Sequence, residues 1–130
     1  MRKLLSPLGA LAALALAAGV AQAAENTAMD AVKVMQTDAG AVLTDAKGMT
    51  LYIFDKDTTG MSACYDKCAE NWPPLPASGD MSGDWSVVER TDGIQQLAYK
   101  GQPLYLWVKD TKPGDVTGDG FKDVWHVAKP

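Results

Sequence analysis

The sequence predicts a mainly β domain. It should hold two pseudo-symmetric antiparallel three-stranded meanders, packed as a small sandwich or barrel-like unit, and one short helix carrying a CxxxC motif. Three observations predict this. The stretch Lys47-Gly48-Met49-Thr50-Leu51-Tyr52-Ile53-Phe54-Asp55-Lys56-Asp57-Thr58 returns as Lys100-Gly101-Gln102-Pro103-Leu104-Tyr105-Leu106-Trp107-Val108-Lys109-Asp110-Thr111, with seven of the twelve positions identical. Short apolar or β-branched runs alternate with Asp/Gly turns, the signature of hairpins. On a strand, Tyr52 and Phe54 point one way and Leu51 and Ile53 the other, as do Tyr105 and Trp107 against Leu104 and Leu106, so both faces are apolar and both must be covered.

In the first copy the expected strands are 32–36, 41–44 and 49–55, separated by the turns Thr37-Asp38-Ala39-Gly40 and Asp45-Ala46-Lys47-Gly48. The second copy repeats the plan with strands 85–90, 94–99 and 103–109. Pro103 is tolerated at a strand start, where the missing backbone donor costs least. A seventh strand, 124–127, follows the Gly118-Asp119-Gly120 turn. Between the copies, Ser62 is placed to cap a helix over 63–71, which Pro73 and Pro74 stop. Cys64, Cys68 and Trp72 then fall on one helical stripe facing the sheet.

The chain opens with Met1-Arg2-Lys3, an apolar run from Leu4 to Val20, and Ala21-Gln22-Ala23. A positive start, an apolar core and a small-x-small site make a secretory signal peptide over 1–23. The run is shorter than the ~20 residues of a membrane span, so no stable membrane insertion is expected after cleavage. A flexible segment, 24–31, leads into one domain over 32–130: repeat one 32–58, a helix and loop insert 59–84, repeat two 85–111, and a C-terminal loop and strand 112–130.

The chain of 130 residues carries a formal charge of −4, and its sixteen acidic residues all lie beyond the signal peptide. Without a Lys/Arg cluster it suits neither nucleic acid nor an anionic membrane surface. Export also bears on Cys64 and Cys68, because thiols pair in oxidising compartments. A disulfide closing so small a ring contributes only about 2 kcal/mol in the chain-entropy model. The alternatives are a redox dithiol, whose usual spacing is CxxC, or a soft-metal site, since CxxxC also occurs in copper-handling proteins.

The paired motif Tyr-x-aromatic-x-x-Asp, present as Tyr52, Phe54, Asp57 and as Tyr105, Trp107, Asp110, resembles the secreted repeat of unknown function, also described as predicted lipoproteins. The segments Ala63 to Leu75, Lys112 to Gly120 and Val124 to Val127 share the resemblance. It implies an exported β-rich module. Many relatives carry a lipid-attachment cysteine that this chain lacks, which points to the periplasm or the medium.

Two readings of the motif follow. The aromatics fill the core while Asp57 and Asp110 accept backbone donors in the turn after each strand, or the two copies line a ligand cleft. No nucleophile motif accompanies His126, the single histidine, and no catalytic residue is assigned. His126 is a candidate ligand for non-covalent haem or a metal, and Asp115 and Asp119 open an EF-hand-like loop without its closing glutamate. The expected role is a non-enzymatic binding or interaction module of the cell envelope, free of cofactor, acting on an envelope protein or small ligand. The alternative is a small redox, haem- or copper-binding protein.

Overall fold

The computed structural model describes residues 31–78 and 81–130. The signal peptide expected over 1–23, and all but the last residue of the flexible start, lie outside the described residues. Strands β1 (Val32–Thr37) and β2 (Gly40–Asp45) form one hairpin, β3 (Tyr52–Phe54) pairs with β7 (Trp125–Val127), and β4 (Trp85–Glu89), β5 (Gln95–Tyr99) and β6 (Gln102–Pro103) form a meander. All pairings are antiparallel. The chain is mainly β, as expected, but these are three small sheets among the described residues and not a closed barrel.

The departure from two equal meanders has a local cause. Each motif strand leaves its own hairpin at the first leucine of the motif and joins a three-way junction of backbone hydrogen bonds. The Leu51 amide donates to Leu43 at 2.9 Å, the Ala128 amide to Leu51 at 2.8 Å, and the Leu43 amide to Ala128 at 2.8 Å. Leu104 repeats the pattern: its amide donates to Leu97 at 3.0 Å, that of Leu75 to Leu104 at 2.9 Å, and that of Leu97 to Leu75 at 2.8 Å. Each ring leaves no donor of its three residues unpaired, as buried backbone requires. The third member of each ring comes from the other half of the chain, so the two repeats exchange their last segments.

The exchange shortens the expected strands. The motif strand expected over 49–55 is reduced to β3, and the one expected over 103–109 contributes only Gln102–Pro103 to its meander before Tyr105 bridges Tyr52 and Pro74. The outer hairpins keep their expected places within a residue or so, because their alternation is not interrupted.

The helix is also shorter than expected. Only α1 (Lys67–Asn71) forms, with Asp66 at its start and no side-chain cap. Cys64 precedes it, so the expected helix carrying both cysteines is replaced by a disulfide loop and one helical turn. The Cys64–Cys68 bond holds the two Cα atoms 5.2 Å apart, and Ser62, besides accepting the Cys64 amide at 3.2 Å, is drawn into a bond with Tyr105.

Two apolar clusters flank the motif strands. On one side the six junction residues pack with Val32, forming an aliphatic core. Tyr52, Tyr105, Trp72, Trp107, Trp125, Val42, Val127 and Cys64 fill the other. The alternation read from the two copies thus sends leucines to one face and aromatics to the opposite one.

Candidate functional site

The two copies of the motif meet at Tyr52 and Tyr105. Each backbone amide donates to the other's carbonyl, at 2.8 Å from Tyr52 and 3.0 Å from Tyr105, and both residues are fully buried. An approximate twofold axis runs between them. The spacing that relates Tyr52 to Tyr105 also relates Phe54 to Trp107, Asp57 to Asp110, Trp72 to Trp125, and Leu75 to Ala128.

The side chains cross this axis. The Tyr52 hydroxyl donates to Asp110 at 2.7 Å, and the Tyr105 hydroxyl donates to Asp57 at 2.7 Å. Each carboxylate also closes its own turn with its second oxygen. Asp57 accepts the Ala63 amide at 2.7 Å, while Asp110 accepts the amide and hydroxyl of Thr117 at 3.0 and 2.6 Å. The turn role expected of both carboxylates is therefore joined to a second one, a clasp on the opposite repeat.

The tyrosine oxygens are occupied as acceptors as well. The Gly118 amide donates to Tyr52 at 3.2 Å. With Tyr105 committed as donor to Asp57, the Ser62 hydroxyl donates to Tyr105 at 2.6 Å and itself accepts from Arg90 at 2.9 Å. Burial drives both tyrosine hydroxyls well above their ordinary range, and the neighbouring carboxylates add to the rise. Both remain neutral donors. Burial also raises Asp57, against the Tyr105 hydroxyl and the Ala63 amide, which favour its charged form.

Phe54 and Trp107 are the ends of an aromatic column. Phe54 stacks on Trp125 at 4.2 Å, Trp125 on Trp72 at 3.8 Å, and Trp72 on Trp107 at 3.9 Å between ring centres. The two central rings, related by the pseudo-axis, are 2° from parallel. Tyr52 meets Trp72 edge-on and Tyr105 meets Trp125 edge-on, the favoured geometry for ring edges against ring faces.

Arg90, which sequence reasoning passed over, is the polar hub of the disulfide side. Its side chain is fully buried and forks onto Asp92, the Ser62 hydroxyl, Gln96 and the Cys64 carbonyl, with the Tyr65 ring 4.4 Å from its guanidinium carbon. This meets the demand of a buried cation for paired charge and bonded donors. A lone arginine at the end of a strand gives no sequence signal for such a role. Gln96, buried two residues from the turn, completes the network through the Leu104 carbonyl at 2.8 Å.

The remaining candidates lie apart from the clasps. His126 pairs with Asp55 at 2.8 Å on the surface, across the β3–β7 pairing. Asp115 accepts the amides of Thr111 and Lys112, and Asp119 accepts that of Val127 at 3.0 Å. The EF-hand-like spacing is thus engaged in two separate turns. Among the described residues no group of three or more His, Cys, Asp or Glu side chains is arranged to hold a metal ion.

The arrangement joins two halves and leaves no uncommitted acid, base or nucleophile within the motif. A family model described as a secreted repeat of unknown function matches twice, over residues 33–76 and 86–129. Each match ends in the segment that its repeat lends to the other half. No curated protein and no solved structure matches the chain. Among the described residues no helix is long and apolar enough to cross a membrane. With two matched segments that together span most of its length, the chain belongs to the family described as the secreted repeat of unknown function.

Proposed function

We propose that the protein is a non-enzymatic binding or interaction module of the cell envelope, exported by its signal peptide to the periplasm or the medium and acting as one domain over 32–130. One observation carries the reading. Both tyrosine hydroxyls and both carboxylates of the duplicated motif are spent on the reciprocal Tyr–Asp clasps and their turns, so the motif supports a rigid scaffold. Binding then falls to the outer surface, as loops and grooves on a fixed frame commonly serve.

The absorption spectrum and metal content of the purified mature chain test this against the haem or copper alternative. A colourless, metal-free protein that gains nothing on reconstitution is the expected result. A Soret band, or stoichiometric copper that His126→Ala abolishes, overturns it.

A further inference from the structure

Beside the disulfide loop runs a groove of about 620 Å³, with Tyr65, Pro73, Pro74, Pro76 and Ile94 in its apolar lining. Ile94 is 42 % exposed there. The carboxylates of Asp66, Glu70 and Asp92 also line it, with no lysine or arginine among the lining residues. Asp92 is neutralised by Arg90 at 2.9 Å. Asp66 and Glu70 form no ion pair among the described residues, and the groove keeps their two negative charges.

Asp66 is held there against its backbone preference. The Cys68 amide donates to the Tyr65 carbonyl at 3.1 Å, which closes a four-residue turn with Asp66 second, at φ 55° and ψ −124°. That is the first central position of a type II′ turn, where glycine is the relaxed choice. A strained non-glycine residue persists where something other than stability keeps it. Its neighbour four residues on, Glu70, adds a like charge one turn away, a pairing that is mildly unfavourable in itself.

We propose that this groove docks an extended segment of a partner protein in which lysine or arginine flanks an apolar side chain. The apolar lining takes the side chain and the Asp66–Glu70 pair takes the cation. Charge complementarity selects this occupant, because the exposed carboxylates would repel an acidic chain and Ile94 with the prolines would gain nothing from a purely polar one. The proposal rests on the binding-module reading and names its partner chemistry.

The test titrates the oxidised mature protein with the peptide acetyl-Lys-Leu-Lys-Leu-Lys-amide, following backbone amide shifts by NMR at low and high salt. Saturable shifts at Tyr65, Ala69 and Ile94, weakened by salt, are expected. Asp66→Gly should raise the urea midpoint while lowering peptide affinity several-fold, and Glu70→Gln should lower affinity without moving the midpoint. Absence of saturable shifts at these amides, equal binding of the glutamate analogue or of spermine, or full affinity in both variants overturns the proposal. A colourless, metal-free protein that ignores the peptide sinks the groove alone. A haem or copper spectrum sinks the module reading however the peptide behaves.

Discussion

Tyr52 and Asp110 stand far apart in the sequence yet share a 2.7 Å hydrogen bond in the buried interior. Asp110 is only 7 % exposed, whereas Asp57, the equivalent partner of Tyr105, is half-buried. Two bonds of the same kind therefore sit in unequal surroundings. Tyr52→Phe should cost about 1–3 kcal/mol, because it strips a donor from a buried carboxylate that water reaches poorly. Tyr105→Phe should cost less through its carboxylate, since water can reach Asp57. Urea unfolding of both variants checks the order, and a larger loss for Tyr105→Phe would contradict it.

The aromatic column is sensitive to small additions. A methyl on Gly118 would lie 2.7 Å from the Trp72 ring and 3.0 Å from that of Trp107, closer than packed carbons allow. Gly118→Ala should cost about 1–3 kcal/mol as the two indoles shift. Near-ultraviolet circular dichroism should change with it. An unchanged spectrum at unchanged stability would show that the rings are less tightly placed.

Acidification separates two carboxylates. The Thr111 amide and then Lys112 hold Asp115 at about 2, below its ordinary 3.8. The folded state therefore binds fewer protons at this site than the unfolded chain, and the stability it supplies above 3.8 is lost as pH falls towards 2. Asp115→Asn should flatten that part of the profile. Asp57 works in the opposite sense: burial raises it, so protonation favours the fold and Asp57→Asn should remove a gain seen on acidifying towards 3.8. Denaturation midpoints measured from pH 7 to 2 in both variants read the two signs.

The two halves should not fold alone. Each three-way junction takes its third member from the other repeat, and each tyrosine takes its carboxylate from there too. Segments 31–78 and 81–130 expressed separately should lack tertiary near-ultraviolet signal and regain it on mixing. A folded isolated half would rule out the exchange as the basis of stability.

The duplication, the hairpin turns and the opposite faces of Leu51/Tyr52 and Leu104/Tyr105 were legible because each depends on local spacing alone. The disulfide followed from the expectation of export. What local spacing could not carry was the identity of partners across the axis. Nothing near Asp57 indicates that its tyrosine is Tyr105 and not Tyr52, and nothing near Leu75 or Ala128 says that each completes the other repeat's junction. The helix was overextended for a related reason. Cys64, Cys68 and Trp72 share a stripe, but the turn at Asp66 and the bond from Ser62 to Tyr105 reshape the segment before α1 through contacts distant in sequence. Arg90 was invisible for the same reason.

The crossed clasps tie the histories of the two copies together. A change at Tyr52 is answered at Asp110, and one at Tyr105 is answered at Asp57, so the units that must drift in concert are these diagonal pairs and not the two motifs as written. Neither copy is free to specialise alone. A chain bearing one such repeat could satisfy its tyrosine only with the carboxylate of a second molecule, and that dimer would possess as a true symmetry the axis which this protein, between Tyr52 and Tyr105, keeps only approximately.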